Sequence, residues 1–353
     1  ETKQRQMNTV VVSAGRRDQQ LEEIPISIES IKPSLVSNKG MTNLAQALDQ
    51  SPGVYVMDGQ VSIRGGGGYA YGAGSRVLLL WNGIPMLSPD VGDAKWNSIP
   101  MEQASQIEIL KGASSVLYGS GALNGIIGLN EKEPGPDGNL TAKLQSGVFC
   151  NPKRNSLQWW GKGKEKVFNP TFHMADFYYG KAIKNFGYTF GTNVFYDEAY
   201  RQGEQEKRAR INGSFYYRPT KENAKLKAGL SYNLQFQDAG VFVLWKNDSM
   251  CYQAMDNTLS RQKAVRFNID PYVKFLDKKG NKHHLRTRYY LVTTGNDTKV
   301  YDASFAQMYY LDYQFQKKMK DGMNLTFGAT NTFNAIKSWV FGDHQSENAA
   351  AYS

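Results

Sequence analysis

The chain has 353 residues, a formal net charge of +10 at pH 7, and 41% hydrophobic and 12% aromatic residues. Its two cysteines are too few for a disulfide-stapled scaffold, and with the four histidines they show no spacing of a metal site. No apolar run approaches the ~20 residues of a membrane-spanning helix, so a helical membrane protein is excluded and a membrane β-barrel is not.

The first 17 residues form a polar tail that contains a short β-branched stretch, TVVVSA, from Thr9 to Ala14. Such a stretch can leave the body of a protein and add as a strand to the sheet edge of a partner, because backbone hydrogen bonds then supply the affinity. The alternative is an ordinary first strand of the domain that follows.

Residues 18–135 have the composition of a mixed, glycine-rich domain. The stretch IRGGGGYAYGAG, residues 63–74, lacks the Lys-Ser/Thr pair and the helix start of a phosphate-binding loop, so we do not expect nucleotide binding. It is either a plain connection between two strands or a loop that offers Tyr69 and Tyr71 to a ligand.

The chain changes character at NEKEPGPDGN, residues 130–139, where two prolines and two glycines forbid a continuous element. Residues 1–135 contain 11 Lys and Arg against 13 Asp and Glu, whereas the remainder contains 31 against 19. The second part therefore holds all of the excess positive charge, and we place a domain boundary at residue 135.

Beyond the boundary, apolar and polar side chains alternate with period two, most clearly from Lys225 to Gln237. A soluble sandwich also alternates, but strands of 10–14 residues, long loops that alternate with tight turns, and Tyr and Phe at strand ends favour an outer-membrane barrel. Strands are predicted near 140–149, 171–182, 187–197, 206–217, 225–237, 263–276, 282–294, 306–317 and 323–338, and a tenth starts near 347.

Four segments precede these strands: TVVVSAGRR (9–17), LAQALDQSPGVYVMDGQVSIRG (44–65), SRVLLLWNGIPM (75–86) and IEILKGASSVLYGSGALNGIIGL (107–129). In this order they resemble the plug domain of TonB-dependent outer-membrane transporters. The resemblance implies a tail that carries a TonB box (1–17), a mixed α/β plug domain (18–135) and the first part of an antiparallel transmembrane β-barrel (136–353). The barrel has 22 strands in the family, and about nine or ten are present here.

The resemblance also implies roles for individual residues. The TonB box, to which TonB binds, matches Thr9, Val10, Val11, Val12, Ser13 and Ala14. By the layout of the family, plug loops that face the extracellular cavity bring Tyr69, Tyr71 and Trp96 to a ligand. Glu108 and Lys111 stand where the plug pairs with the barrel wall, although lysine in place of the usual arginine loses bidentate pairing.

Arginines recur on the polar strand faces that point into the lumen, among them Arg208, Arg210 and Arg266. Such a lumen would concentrate anionic solutes; alternatively, the arginines pair with the plug or with lipopolysaccharide. Two aromatic groups in long loops, Trp159 with Trp160 and Trp245, either stack on a flat ligand or pack the loops. Cys150 and Cys251 both lie in rim loops, and whether they form a bridge is left open.

The function implied is TonB-dependent import of a scarce nutrient across the outer membrane of a Gram-negative bacterium, with a ferric-siderophore-type chelate as the first choice. Glycan, oligopeptide or cobalamin import, or a non-transporting role in an outer-membrane assembly, are the alternatives. We expect TonB, outer-membrane lipid and lipopolysaccharide, a small-molecule ligand and, as an open question, a surface lipoprotein as partners. We expect no enzymatic activity, cofactor, bound metal or nucleic acid.

A geometric estimate bears on the extent of the barrel. A plug of this size has a hard radius of about 18 Å. Ten strands close into a barrel of about 10 Å radius, whereas 22 strands give about 22 Å. We therefore expect the chain to be part of a longer protein, with at least ten further strands after Ser353.

Overall fold

The computed structural model describes residues 10–11, 16, 19–20, 27–57, 60–66, 76–112, 118, 120–219, 226–296, 303–319, 323–340 and 342–353. Several predicted site residues lie outside these ranges: Thr9, Val12, Ser13, Ala14, Tyr69 and Tyr71. Within the ranges, no helix has the length and apolar character needed to cross a membrane.

The amino-terminal part forms the domain that we call the plug, which is built on a five-stranded sheet of order β3-β8-β9-β6-β7. Only β6 and β9 run parallel, which makes the sheet mixed. The elements are β1 (Val10–Val11), β2 (Gln19–Gln20), β3 (Ile28–Ile31), α1 (Pro33–Asn38), α2 (Leu44–Leu48), β4 (Val54–Met57), β5 (Gln60–Ile63), β6 (Val77–Trp81), β7 (Ile84–Pro85), β8 (Ala104–Leu110) and β9 (Gly125–Glu131). The pairs β1-β2 and β4-β5 form separate two-stranded ribbons.

The core of the plug lies on both faces of this sheet. Every residue of β6 is buried, because Leu79 packs in the larger apolar cluster with α2 while Leu78 and Leu80 pack in a second cluster on the opposite face. The start of α2 is fixed by Asn43, whose side chain accepts a hydrogen bond of 3.0 Å from the amide of Gln46. Full burial of an apolar side chain such as that of Leu79 contributes about 1.5–3 kcal/mol to stability.

The rest of the chain forms a ten-stranded antiparallel sheet that we call the wall, in which each strand pairs with the next along the chain. Its strands are 10 to 17 residues long. They are β10 (Asn139–Val148), β11 (Thr171–Ile183), β12 (Phe186–Asp197), β13 (Glu206–Tyr217), β14 (Leu226–Val241), β15 (Ser260–Leu276), β16 (Lys282–Asn296), β17 (Ser304–Lys318), β18 (Asn324–Ser338) and β19 (Gly342–Tyr352).

This arrangement confirms the predicted fold class, a mixed plug followed by about ten long antiparallel strands. The nine strands predicted in full are all present, and the tenth begins already at Gly342. The alternation also holds: Leu144, Phe190 and Phe215 face outward and are at least 40% exposed, whereas inward polar residues such as Asn212 and Asp312 are completely buried.

The wall bends around the plug with the help of tyrosines that lie over glycines of the neighbouring strand. Three inward tyrosines each face a glycine directly across the ladder, in the pairs Gly187–Tyr216, Gly229–Tyr272 and Gly328–Tyr352. A Cβ added at Gly229 would lie 2.5 Å from the ring of Tyr272, so only glycine admits the ring at this distance. Glycines covered by aromatic rings are a known device for curving sheets.

The adjacent tyrosines of β16 and β17 were expected at strand ends, but they lie near the middle of these strands, where they divide between the two faces of the wall. Tyr290 and Tyr310 point inward and pack with Ile84 of β7. Their neighbours Tyr289 and Tyr309 point outward and contact each other at 5.2 Å between ring centroids. One tyrosine of each pair therefore contacts the plug, and the other belongs to the outer aromatic surface.

Candidate functional site at the plug and wall interface

Arg16, which lies between β1 and β2, connects the amino-terminal segment to the wall. Its side chain is buried, and Nη1 donates to Oδ1 of Asp312 in β17 at 3.0 Å. The guanidinium carbon lies 4.3 Å from the ring centroids of both Tyr118 and Tyr352. The carbonyl oxygen of Arg16 accepts a hydrogen bond of 2.9 Å from Nε2 of Gln314. Side chain and backbone are thus both held by the wall.

Asp312 is the centre of this contact. It is completely buried, and it accepts hydrogen bonds from Nε of Arg286 at 2.8 Å and from the hydroxyl of Tyr352 at 3.0 Å in addition to Arg16. One carboxylate therefore compensates two buried guanidinium groups. Loss of one partner in such a pair leaves an uncompensated buried charge, which is strongly destabilising.

A second contact joins the 3-10 turn Met101–Gln103 of the plug to β13. Nη2 of Arg210 donates to Oε2 of Glu102 at 2.6 Å, and its Nη1 donates to the carbonyl of Ile99 at 2.9 Å. Nε2 of Gln103 donates to Oγ1 of Thr189 in β12 at 2.8 Å. Burial raises the pKa of Glu102, and the neighbouring guanidinium opposes this rise.

A third contact joins β7 to β15 and β16. Arg288 donates to both carboxylate oxygens of Asp270, at 2.7 Å and 2.5 Å, and it also donates to the carbonyl of Pro85 at 2.7 Å. Along the same face, Nδ2 of Asn233 donates to the carbonyl of Ser98 at 3.2 Å. The plug is therefore attached to the wall largely through hydrogen bonds and ion pairs.

The predicted lumenal arginines are all buried, and the structure gives them different partners. Arg210 forms an ion pair with Glu102 of the plug, as one of the two interpretations of the sequence predicted. Arg208 contacts the wall itself, at 2.9 Å from Glu206 and 4.6 Å from the ring of Phe195. Arg266 donates to Oε1 of Gln237 at 2.7 Å.

Three predicted site residues of the plug are described in the structure, Trp96, Glu108 and Lys111. The contacts described for them lie within the plug. Instead of a wall carboxylate, Lys111 contacts Oε2 of Glu29 at 2.6 Å and the carbonyl of Pro52 at 2.8 Å, because the end of β8 is bordered by β3. Glu108 in mid-strand accepts from Nε2 of Gln106 at 2.5 Å. Trp96 is only 6% exposed and packs in the larger core cluster of the plug rather than at a ligand-facing surface.

The outer loops form a packed layer at the end of the strands opposite the tight turns. Trp159 donates through Nε1 to the carbonyl of Tyr200 at 2.8 Å, and Trp160 donates through Nε1 to Oδ1 of Asn151 at 3.0 Å. Both tryptophans are buried, in accordance with loop packing, whereas Trp245 is 57% exposed.

The same loops contact one another. The rings of Tyr200 and Tyr252 lie 5.1 Å apart, and Nη1 of Arg154 donates to the carbonyl of Asp248 at 3.2 Å. Cys150 and Cys251 are both free thiols, so no bridge joins them. Among the residues described, no group of three or more His, Cys, Asp or Glu side chains is arranged to hold a metal ion.

Sequence reasoning did not single out Arg16, Glu102 or Asp312. The available signal was weak: Asp312 is a carboxylate among glutamines on the polar face of a predicted strand, and Arg16 lies two residues after the β-branched stretch. Their pairing joins residues nearly 300 positions apart, which no local pattern indicates.

Comparisons with known proteins agree with this architecture. Residues 20–126 match the model of the TonB-dependent Receptor Plug Domain. The chain is 28% identical over 123 residues to the vitamin B12 transporter BtuB of Photobacterium profundum, which covers 35% of this chain and 20% of the transporter. It is 30% identical over 132 residues to the hemin receptor of Yersinia enterocolitica, a match that covers 36% of this chain and 18% of the receptor.

The fold is also that of a solved receptor. The siderophore receptor PirA from Pseudomonas aeruginosa superposes with a TM-score of 0.69 and 15% identity, covering 92% of this chain and 52% of PirA. The chain thus spans about half of PirA, and its matches cover about a fifth of BtuB and of the hemin receptor.

A plug domain attached to a wall of long antiparallel strands is the fold that this chain shares with the PirA receptor. Residues 20–126 are therefore a TonB-dependent receptor plug domain, and the chain as a whole is similar to TonB-dependent receptors and transporters.

Proposed function

We propose that the chain forms the plug and first wall strands of an importer that uses TonB to carry an anionic metal chelate, of the ferric-siderophore type, across the outer membrane. Relatives support a metal chelate as the cargo, because they include a vitamin B12 transporter, a ferric-pyoverdine receptor and a hemin receptor. All three cargoes are metal chelates. The observation that carries the coupling is the contact of Arg16 with the wall, directly after the predicted TonB box.

The first step is binding of TonB to residues 9–14. Within the described part of the amino-terminal segment, β1 and β2 pair at two positions, Val10 with Gln20 and Val11 with Gln19. A two-stranded ribbon that stands apart from any larger sheet is marginal in water. A partner that offers a longer sheet edge therefore competes successfully for this strand.

The second step is transmission of force to the interface between plug and wall. Arg16 lies two residues beyond the box, so a pull on the box reaches the bond between Arg16 and Asp312 first. The next contacts are polar as well, such as Arg210 with Glu102 and Arg288 with the carbonyl of Pro85. Polar contacts exchange for water at modest net cost, so the plug can move without exposing a large apolar surface.

The outward face of the wall supports outer-membrane lipid as a further partner. Leu144, Val194 and Ile211 face outward and are 86%, 54% and 44% exposed. Apolar outward side chains on alternating positions are the pattern of a lipid-facing strand.

The experiment is uptake into cells that express the full-length protein in place of other receptors, with ferric citrate, hemin and cyanocobalamin as cargo probes. Val11→Pro removes a backbone donor and cannot add to a sheet, so we expect loss of TonB-dependent uptake with unchanged cargo binding. Gln4→Pro, in the polar tail before the box, is the matched control and should retain uptake. Uptake that persists unchanged in Val11→Pro would refute the coupling.

A further inference from the structure

The first outer loop, which joins β10 to β11, contains a compact turn at residues 161–166 that we call the basic turn. The amide of Gly161 donates to the carbonyl of Lys166 at 2.7 Å, and the amide of Lys164 donates to the carbonyl of Gly161 at 3.0 Å. These two hydrogen bonds fix the backbone of the turn. Lys162 and Lys164 are exposed on it.

The basic turn is attached to the wall on the outward side. Nζ of Lys166 donates to Oε1 of Glu198 at 2.7 Å, and Oε2 of Glu198 accepts from Oγ1 of Thr171 at 2.9 Å. Thr171 is the first residue of β11 and is directly opposite Val148, which shares the outward face of Leu144 and is 58% exposed. Residues directly opposite each other on neighbouring strands lie on the same face of a sheet. The contact of Lys166 therefore lies on the face of the wall that points away from the plug.

The exposed lysines of the basic turn keep hydrogen-bond donors for a partner. Glu165, the acidic residue of the turn, accepts from Nε2 of Gln202 at 2.7 Å. Within the described part of the chain, the ammonium groups of Lys162 and Lys164 form no hydrogen bond or ion pair. Each carries three donors.

Lys207 of β13 adds a third exposed ammonium group close to the anchor of the basic turn. It is directly opposite Tyr196 of β12, which precedes Glu198 by two residues, and Nζ of Lys207 lies 6.0 Å from the ring centroid of Tyr196. On the other side, Lys207 is opposite Asp238, but Arg261 donates to both carboxylate oxygens of Asp238, at 2.7 Å and 3.0 Å. Lys207 can therefore donate to a further acceptor.

Apolar surface lies directly beside these lysines. One step from Lys207 towards the tight turns, the outward face has a row of Val194, Ala209 and Phe236, in which the valine and the phenylalanine are 54% and 50% exposed. Such a step of two residues along a strand spans about 7 Å. Val167 and Phe168, directly after the basic turn, are 61% and 79% exposed. A partner for this surface must therefore combine apolar chains with anionic groups close to them.

The position of the surface selects among such partners. It lies at the strand ends that carry the long loops, and the long loops of outer-membrane barrels are extracellular. Its outward direction places it against the membrane and not against a cargo in the lumen. The lipid that combines acyl chains with phosphates and acidic sugars in the outer leaflet is lipopolysaccharide.

We propose that Lys162, Lys164 and Lys207 form a binding site for lipopolysaccharide on the outer edge of β11–β13. In this site Lys207 binds a phosphate of the lipid A, next to the apolar row that contacts the acyl chains, and the basic turn binds the acidic sugars of the core. The inference rests on the proposed function only for the location of the protein in the outer membrane.

The first test measures binding of deep-rough lipopolysaccharide, which consists of lipid A and acidic core sugars, to the full-length protein in detergent at low ionic strength. The variant combines Lys162→Gln, Lys164→Gln and Lys207→Gln, which we call the outer triple variant. We expect it to bind about 100-fold more weakly, because each basic residue near an anionic lipid surface contributes a factor of about five.

The matched control is a second triple variant with the same loss of charge. It removes three exposed lysines from the tight turns at the opposite strand ends, by Lys184→Gln, Lys278→Gln and Lys279→Gln. It should bind lipopolysaccharide as tightly as the unchanged protein. Equal weakening in this control, or unchanged binding in the outer triple variant, would overturn the site.

The source of the phosphate is tested with two further lipids in the same detergent, phosphatidylglycerol and lipopolysaccharide from which the lipid A phosphates have been removed. We expect both to bind the unchanged protein much more weakly than intact lipopolysaccharide does. If phosphatidylglycerol binds as tightly and depends equally on the three lysines, the site takes phospholipid headgroups, and lipopolysaccharide is wrong as its occupant.

Uptake of the cargo probes separates this inference from the proposed function. If Val11→Pro abolishes uptake while the outer triple variant binds lipopolysaccharide normally, the import function stands and the lipid site is wrong. If the outer triple variant loses lipopolysaccharide but no TonB-dependent uptake exists, the lipid site stands and the import function is wrong.

Discussion

At the scale of single residues, Asp312 has the largest predicted effect, because it compensates both Arg16 and Arg286. Asp312→Asn leaves two buried guanidinium groups with a neutral partner, and we expect a loss of about 3–5 kcal/mol in the free energy of unfolding. Arg16→Met leaves the pair with Arg286 intact, and we expect a loss of only about 1–2 kcal/mol. Urea unfolding of the protein from lipid vesicles measures both.

Arg16→Met should in addition release the amino-terminal segment, which is then cleaved faster in limited proteolysis. Arg64→Met is the control, since Arg64 is exposed on the plug and should change neither measurement. Equal losses for Asp312→Asn and Arg16→Met would contradict the shared role of Asp312.

At the scale of elements, the contact between β14 and β15 depends on the ring of Tyr272 over Gly229. Gly229→Ala places a methyl group where the ring now lies, and we expect a loss of about 1–3 kcal/mol, seen as a lower thermal unfolding midpoint. Gly295→Ala, in β16, is the matched control, because a Cβ there meets no atom within 4 Å. A midpoint that falls as much for Gly295→Ala would show that strand glycines matter for backbone reasons alone.

The strands of the wall were predictable because their two faces meet different surroundings. In β14 the outward face is apolar and the inward face meets the polar surface of the plug. Apolar and polar residues therefore alternate along residues 225–237. The pairing of glycine with tyrosine was not predictable, because it depends on the register between strands. Register becomes visible only when Gly229 and Tyr272 are placed across the ladder.

At the scale of the whole molecule, the order of plug and wall followed from four short segments, but the contacts between them did not. Several arginines on the inward faces are equivalent in sequence, yet Arg210 binds the plug and Arg208 binds the wall. The choice depends on where the 3-10 turn with Glu102 lies against β13. Lys111 likewise contacts Glu29 because β3 borders β8, a fact of sheet order that local sequence does not contain.

The seating of the plug against the wall should also depend on pH through Glu131. Its pKa is raised to about 7 by burial, so between about pH 4.5 and 7 the folded protein keeps a proton that the unfolded chain has released. The folded state is therefore favoured at low pH, and stability falls as the pH rises to 7. Glu131 is only half-buried, so we expect a fall of about 2 kcal/mol rather than the full value of the shift.

Urea unfolding at a series of pH values from 5 to 8 measures this slope. Glu131→Gln cannot titrate and should flatten the profile in this window, with its largest gain over the unchanged protein near pH 8. Asp256→Asn, at an exposed position in the third outer loop, should leave the slope as it is. A profile that keeps its full slope in Glu131→Gln would assign the pH dependence to other groups.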